Sequence, residues 1–397
     1  MGRTSIYMII GFSIIFLVLG KNMADVSVQS MDNAITYYES TQRYNIASAG
    51  ANFACAKIWE NHLWRTGFTN VPFNNGIFTV TVTDTTLQRV KITSVGTYQG
   101  TNQTISLLMQ PSYFSKFAYF SDNEPSTISW VTGDTVWGPF HSNTKLYYSG
   151  NPVFNGKVTT KNGKSGTGSP KFYGGYESGV DMTLPSNLDA TKDSAMAHGR
   201  YLATTDTVWA TFNADATITV KIGAAAATTT AISTYAPNGS IIFEGAILRL
   251  KGTVSGQVSI GTLTNGSGVG GRVFIDDDIV YKDDPRIMES TDLLGIIATK
   301  EIFIADNAAN NTGDINIQAA MFSQTKGFGA EHYSTRPKAG SIKLLGGISQ
   351  SVRQAVGTTG WPGTGFYKSY HYDDRLMSLS PPAYPITGSY EIVSWFE

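Results

Sequence analysis

The sequence lacks several features that would point to an enzyme or a disulfide-stabilised protein. It has a single cysteine, Cys55, among 397 residues, which excludes an intramolecular disulfide and a cysteine-ligated metal site. Charged residues make up only 15%, against about 25% in an ordinary globular protein. The formal net charge of −1 gives no electrostatic basis for binding nucleic acid, so no nucleic-acid partner is expected. We read Cys55, in an Ala-rich stretch, as a small apolar core residue.

Proline is also absent from the N-terminal part of the chain, where the first proline is Pro72 and helix-breaking signals are few. An uncharged apolar run, Ile6–Gly20, lies between Arg3 and Lys21. A secretory signal peptide has a similar apolar core, but the helical pattern here continues past it to Trp64. The sequence therefore predicts one helix over residues 5–63, about 90 Å long.

This helix is predicted to have two parts with different surroundings. The first part is apolar on all sides and is predicted to lie in the membrane or among identical helices through Ile6, Ile9, Ile10, Phe12, Ile14, Ile15, Phe16, Leu17, Val18 and Leu19. The second part has an apolar stripe typical of a helix packed on a globular unit. The stripe consists of Met31, Ile35, Tyr38, Ile46, Ala49, Gly50, Phe53 and Ala56.

Small residues in the second part carry a family resemblance. The segment Tyr44–Trp59 resembles the N-terminal helix of PilX-like, type IV pilin-related proteins, through Ala47, Ala49, Gly50 and Ala54. The resemblance implies a subunit that polymerises through its N-terminal helix. The pilin pattern also expects a glutamate near the start of the helix, whereas the first glutamate here is Glu39. The role of that glutamate is therefore not assigned, and the processing site stays open.

The remainder of the chain has the pattern of a β protein. Three alternating segments, Ile77–Thr83, Val90–Tyr98 and Thr104–Gln110, predict an antiparallel meander over residues 64–116 beneath the helix. Residues 117–397 contain many short strands separated by Gly and Asn, and predict a large β-rich head. We favour a β-solenoid over a β-sandwich for this head, although no strict repeat length is visible. The fold class is α+β, with a helix segment over residues 1–63.

A second resemblance covers much of the head. Segments such as Gly138–Asn143, Gly150–Val158 and Asp292–Ala298 resemble an uncharacterised domain that accompanies PilX-like helices in bacterial envelope proteins. The resemblance implies an architecture and no activity.

Candidate chemical sites are few. His141 precedes Ser142, but no Gly-x-Ser-x-Gly motif accompanies them, and we interpret His141 as structural. Asp276, Asp277, Asp278, Asp283 and Asp284 form the one acidic cluster. We favour the interpretation that these residues belong to a solvated loop. The next interpretation is a candidate Ca²⁺ site, since calcium prefers carboxylate oxygens. No other metal or cofactor is expected, and no catalytic residue is assigned.

These features favour a non-enzymatic, type IV pilin-like subunit of a filament on the bacterial cell surface. Its expected partners are copies of itself, the pilus assembly machinery and the cytoplasmic membrane before assembly, with host or surface glycans as candidate targets of the head. Two alternatives stay open. One is an envelope protein that is anchored in the membrane and does not polymerise. The other is a carbohydrate-active enzyme on a β-solenoid, with Asp276–Asp278 as its acids.

Overall fold

A computed structural model of the chain describes residues 2–61, 64–85, 89–358 and 362–396. These residues form two compact units. The first extends to Pro111 and includes the C-terminal segment from Gly388, and the second is Ser112–Thr387. The domain boundaries predicted from the sequence, after residues 63 and 116 and with the C-terminus in the head, stay a prediction. Residues 62 and 63, at the first of these boundaries, lie outside the described residues.

A single helix dominates the first unit. Helix α1 spans Arg3–Glu60, and its 58 residues correspond to a length of about 87 Å. It ends at Asn61, whose backbone is extended and whose N–H still donates to the carbonyl of Lys57. The predicted long N-terminal helix is confirmed.

The same unit contains a five-stranded sheet. Its strands, in spatial order, are β1 (Phe68–Phe73), β2 (Gly76–Asp84), β3 (Val90–Tyr98), β4 (Thr101–Tyr113) and β30 (Ile386–Phe396). Strands β1 to β4 pair antiparallel in sequence order. Asn74, Asn75 and Gln99 adopt positive φ in the turns between them, as tight hairpin turns require. The predicted meander is confirmed, and the C-terminal strand extends it beside β4.

The second unit consists mainly of short strands, with a ten-residue helix α2 (Asp189–His198) and a single-turn helix α3 (Ile232–Tyr235). The strands up to residue 178 are β5 (Tyr119–Asn123), β6 (Trp130–Val131), β7 (Thr135–Trp137), β8 (Phe140–Ser142), β9 (Leu146–Ser149), β10 (Val153–Phe154), β11 (Val158–Thr160), β12 (Lys164–Thr167), β13 (Lys171–Phe172) and β14 (Tyr176–Ser178).

The strands after α2 are longer on average. They are β15 (Arg200–Ala203), β16 (Thr207–Asn213), β17 (Thr217–Ile222), β18 (Thr228–Ala231), β19 (Ser240–Glu244), β20 (Ile247–Val254), β21 (Gln257–Leu263), β22 (Arg272–Tyr281), β23 (Leu293–Ala298), β24 (Ile302–Ile304), β25 (Ile315–Ser323), β26 (Phe328–Ala330), β27 (Lys338–Val352), β28 (Gly357–Thr358) and β29 (Thr364–His371). The expectation of a large β-rich region after the helix is therefore confirmed.

Parallel pairing organises these strands into ladders. The longest ladder runs β15–β19–β21–β23–β25–β27–β5–β8–β11–β14, with every neighbouring pair parallel. A second runs β16–β20–β22–β24–β26, and a third continues from β25 through β27, β29, β7 and β10 to β13. Apolar side chains such as Ile241, Ile260 and Ile296 are fully buried along the longest ladder.

The order of strands in the longest ladder does not follow the chain. Strand β5, the first of the unit, lies in the middle of the ladder between β27 and β8. From β5 the chain forms one end of the ladder, up to β14. The next strand, β15, lies at the opposite end. The later strands approach β5 from that end, until β27 pairs with β5 and β29 pairs with β7. Two runs of the chain, residues 112–178 and 200–377, therefore meet at these two pairings.

The first run has a regular register that the sequence analysis missed. His141 and its ladder partner Thr159 are 18 residues apart in sequence, and the next partner along the ladder, Glu177, follows Thr159 at the same interval. Glycines recur at this interval too, at Gly138, Gly156 and Gly174. A Cβ on Gly156 would lie 2.0 Å from the carbonyl oxygen of Gly138, so the close approach of successive strands requires glycine here. A strict repeat is thus present from β6 to β14.

Candidate assembly helix

The N-terminal part of α1 has almost no contact with the described remainder of its own unit. Residues 2–38 are exposed except for half-buried Gly11. The residues predicted to contact membrane or neighbouring helices are 48% to 73% exposed: Ile6, Ile9, Ile10, Phe12, Ile14, Ile15, Phe16, Leu17, Val18 and Leu19. An apolar surface this extensive on a soluble monomer normally marks a site for a membrane or a protein partner.

The composition of this part fits a membrane-spanning helix. By length and apolar composition, one helix among the described residues is able to cross a membrane, and its apolar window is unburied. Arg3 precedes the apolar run, and Lys21 and Asp25 follow it, so charge is confined to the two ends. A signal sequence has similar properties, so this observation by itself does not separate the two.

Beyond Lys21, five exposed residues form a seam along one side of the helix. Ala24, Val28, Met31, Ile35 and Tyr38 recur at alternating intervals of four and three residues, which places them along one line of the helix. The hydroxyls on the neighbouring surface are already satisfied within the helix, because Ser27 and Thr36 donate to carbonyls four residues earlier.

The seam differs from the packing stripe that the sequence analysis proposed. Met31, Ile35 and Tyr38 were expected to pack on the chain's own sheet, but they are 66%, 46% and 55% exposed. The physical reason is position along the helix. The ring of Tyr38 already meets the end of the sheet, edge-on to Tyr98 at 6.4 Å, whereas Met31 and Ile35 lie before that contact.

The C-terminal part of α1 packs on the sheet through a different face. Its buried residues are Ile46, Ala47, Gly50, Ala51, Ala54 and Ile58. Of the predicted stripe, Ile46 and Gly50 are buried, Ala49 is half-buried and Ala56 is exposed. Phe53 is 47% exposed, and its ring lies 5.9 Å from that of Phe78.

The predicted packing stripe omitted four of these buried residues, Ala47, Ala51, Ala54 and Ile58, although Ala47 and Ala54 were among the residues that carry the family resemblance. Their spacing of four, three and four residues was a readable signal. The prediction followed Ala49, Phe53 and Ala56 instead, which have the same spacing of four and three residues.

The helix and the sheet approach closely at these small residues. A Cβ on Gly96 would lie 2.4 Å from the backbone nitrogen of Ala47, and a Cβ on Gly50 would lie 2.6 Å from Ser94 Oγ. Burial in this contact raises the pKa of the nearby Cys55 thiol to about 11. Small side chains are therefore a steric requirement of the contact.

Asp276, Asp277 and Asp278 lie in the middle of strand β22, not in the solvated loop that was predicted, and Asp283 and Asp284 lie in the segment after the strand. Asp276 accepts two hydrogen bonds from Arg249, at 2.6 and 2.9 Å, and Asp278 accepts from the side chain of Asn316 at 2.8 Å. Asp284 pairs with Arg286. Asp277 is exposed and Asp283 is half-buried. Across the described ranges, no group of three or more His, Cys, Asp or Glu residues is arranged to hold a metal ion, and the calcium site stays a prediction.

His141 lies in strand β8, where it is fully buried. Its Nδ1 is 2.8 Å from Thr159 Oγ1 and its Nε2 is 2.7 Å from Asn143 Oδ1. Its ring stacks on Phe120 with centroids 5.1 Å apart. Burial lowers the pKa of His141, so its neutral form is favoured in this network. Both ring nitrogens of His141 therefore have hydrogen-bond partners within the head.

No protein-family model matches the sequence, and no curated protein matches it significantly. Among solved structures, the chain is similar to the competence-associated pilin ComZ from Thermus thermophilus. The identity is 13%, the TM-score is 0.38, and the alignment covers 90% of this chain and 97% of that one. We draw no functional conclusion from a similarity this low. The proposed function rests on the properties of α1.

Proposed function

We propose that this chain is a type IV pilin-like structural subunit that polymerises through α1 into a filament on the bacterial cell surface. The observation that carries the proposal is the exposed apolar surface of residues 3–38, joined in one continuous helix to a part that packs on a sheet. A cleaved signal peptide does not need a helix that continues rigidly into the folded protein. A subunit that transfers its helix from the membrane to a filament needs such a continuous helix.

In this mechanism the apolar segment Ile6–Gly20 holds the subunit in the cytoplasmic membrane before assembly. The segment then leaves the lipid and packs among identical helices, with contacts to lipid replaced by contacts between side chains. The seam from Ala24 to Tyr38 would pair in the same bundle. Contacts between different surfaces of successive copies, which do not close into a ring, generate a helical polymer. The assembly machinery in the membrane is the partner that this transfer requires.

We further propose that the ladders of the second unit are the faces of a β-solenoid. The parallel pairing and the constant interval between ladder partners support this arrangement over a sandwich, because sandwich sheets are mainly antiparallel. The head would then form the outer surface of the filament and contact host or surface glycans. No catalytic role is proposed for it.

The test is negative-stain electron microscopy of material sheared from cells, together with N-terminal sequencing of the protein in that material. Fibres that contain the protein with Ile6–Gly20 intact support the proposal. A mature protein that begins after Gly20 contradicts it and returns the segment to the class of signal peptides.

The same exposed helix also fits an anchored envelope protein that does not polymerise. In that case the protein with its intact helix is found in membranes, and sheared material contains no fibres of it. The remaining alternative, a carbohydrate-active enzyme, predicts glycan cleavage that is lost in Asp277→Ala.

A further inference from the structure

A buried cluster of charges lies where the two runs of the second unit meet. Glu124 and Asp134 come from the first run, and Arg353 and Lys368 from the second. Arg353 Nη1 donates to Glu124 at 2.8 Å, with side chains 4% and 0% exposed. Lys368 Nζ donates to Asp134 Oδ2 at 2.9 Å, with side chains 18% and 9% exposed. Sequence reasoning missed this cluster, because the partners in its two ion pairs are 229 and 234 residues apart.

Aromatic side chains and backbone groups fix this cluster in place. The indole of Trp130 lies close to both cations, with its centroid 4.2 Å from Arg353 Cζ and 5.3 Å from Lys368 Nζ. Asp134 Oδ2 also accepts the backbone N–H of Val131 at 3.0 Å, which holds the carboxylate in one orientation. The amine and the carboxylate are therefore positioned before any reaction, as an effective intramolecular reaction requires.

The surroundings favour the reactive form of the amine. Burial, and then the neighbouring Arg353 guanidinium, lower the pKa of Lys368, although Asp134 opposes the shift. A lysine with a lowered pKa has a larger fraction of neutral amine, and this form is the nucleophile. Since a carbon–oxygen bond is about 1.2 Å long, Nζ lies within about 4.1 Å of Asp134 Cγ.

We propose that Lys368 and Asp134 condense to an amide, forming an isopeptide cross-link between the two runs of the chain. A proton first passes from the ammonium to the carboxylate along their hydrogen bond, giving an amine and a carboxylic acid. The lysine nitrogen then bonds to Cγ, and the bond from Cγ to the hydroxyl oxygen breaks. That hydroxyl leaves with a second proton from the nitrogen as water. The reaction needs no oxidant and no further reactant.

A cavity beside Lys368 can take up the water that the reaction releases. A cavity of about 10 Å³ is lined by Lys368, Trp130 and Arg353 among others, and this is close to the space that one water molecule occupies. Trp130 Nε1 and Arg353 Nη2, both buried, have no hydrogen-bond partner among the described residues. Both nitrogens carry N–H groups that can donate hydrogen bonds to the leaving oxygen.

Burial separates this pair from two shorter lysine–carboxylate pairs among the described residues. Lys343 and Asp314 are closer, at 2.6 Å, but their side chains are 53% and 39% exposed. Lys161 and Asp181 are also 2.6 Å apart and are about half exposed. In water such pairs stay ionised and hydrated, so contact alone does not lead to condensation. Lys343 therefore provides a matched control for Lys368.

The experiment is a tryptic peptide map of the purified, folded full-length chain by mass spectrometry. The cross-link blocks cleavage after Lys368 and joins peptide 117–145 to peptide 354–375, with a total mass about 18 Da below the sum of the two, the mass of one water. Fragmentation of the branched peptide should place the bond on Asp134 and Lys368. In Lys368→Arg the branched peptide should disappear, and in Lys343→Arg it should persist at the level of the original protein.

Separate linear peptides 117–145 and 354–368 from the original protein, without the branched species, would overturn the proposal. A loss of about 18 Da confined to peptide 117–145 would also overturn it, because it indicates dehydration of a single aspartate. The map of the unaltered protein decides the question even if Lys368→Arg does not fold.

Discussion

Gly96 of strand β3 lies directly against the backbone of Ala47 in helix α1. A Cβ at Gly96 would be 2.4 Å from the nitrogen of Ala47 and 2.6 Å from the carbonyl oxygen of Arg43. Beside this contact, Ser94 Oγ donates to the carbonyl of Ala47 at 2.7 Å, and both residues are fully buried. The helix is thus positioned by contacts between backbones, and larger side chains would displace it.

The first prediction concerns Gly96→Ala. Because neither backbone atom can move without shifting the helix, we expect a loss of about 2–3 kcal/mol in the free energy of unfolding of the first unit. Urea denaturation followed by circular dichroism measures it. Gly20→Ala is the control, since no heavy atom lies within 4 Å of a Cβ there and alanine favours a helix. Equal stability of Gly96→Ala and the original chain would show that the contact is looser than described.

The second prediction tests the seam on the exposed part of α1. Ile35 is 46% exposed, so Ile35→Asp should leave the unfolding free energy within about 0.5 kcal/mol of the original. In a filament the same side chain would be buried among neighbouring helices, where an unpaired carboxylate is strongly unfavourable. Fibres in sheared material should therefore disappear while the subunit remains folded in the membrane.

Ser30→Asp provides the control for that experiment. Ser30 is also exposed on α1 but does not belong to the seam. The Ser30→Asp variant should therefore still form fibres. If both variants form fibres in normal amounts, the seam is not an assembly surface.

The third prediction concerns the reactivity of Cys55. Burial raises the pKa of its thiol to about 11, so very little thiolate is present at pH 8. Alkylation by iodoacetamide at pH 8 should be at least about tenfold slower in the folded chain than in urea. Rapid alkylation of the folded chain would mean that the C-terminal part of α1 detaches from the sheet.

The elements that could be predicted are those with a pattern among neighbouring residues of the sequence. Strand β3 has the predicted bounds, Val90–Tyr98, and α1 covers most of its predicted range, because helical and alternating patterns depend on neighbouring residues. The repeat through Gly138, Gly156 and Gly174 was equally readable, but it occupies only a small part of a long chain, from β6 to β14. Its glycines are conspicuous only when the sequence is aligned on itself.

The partners of β5 and β29 were not predictable from local patterns. The pairing of Tyr119 with Ile348 joins the start of the second unit to a strand near its end, and no property of either segment specifies the other. The same holds for the Lys368–Asp134 pair at the candidate cross-link. Residues Ile6–Leu19 are exposed apart from half-buried Gly11, and their assembly role stays a proposal. Met31, Ile35 and Tyr38 were expected to pack within the chain and are exposed, since an apolar stripe does not reveal which partner covers it.

The fourth prediction concerns the buried pair of Glu124 and Arg353. Arg353→Met leaves a fully buried carboxylate without its cation, and we expect a loss of about 3–5 kcal/mol in the stability of the second unit. The midpoint of urea denaturation measures it. Lys161→Met removes one partner of an exposed pair and should cost less than about 1 kcal/mol. Similar losses in the two variants would contradict the assigned burial.

The last prediction is a dependence of stability on pH through Asp284. Hydrogen bonds from Arg286, above all, lower the pKa of Asp284 from 3.8 to about 2. A carboxylate with a lowered pKa stabilises the folded state above its unfolded pKa, and this contribution is lost as the pH falls through about 2. Since Arg286 is about half exposed, solvent screening reduces the contribution to about 1 kcal/mol.

Asp284→Asn should therefore be less stable than the original chain by about 1 kcal/mol at pH 6, and the difference should shrink towards zero at pH 2. Urea denaturation at several pH values measures the difference. In an Arg286→Gln background the effect of Asp284→Asn at pH 6 should be smaller, because the main cause of the pKa shift is gone. A difference that is constant from pH 6 to pH 2 would show that the loss comes from packing and not from the charge of Asp284.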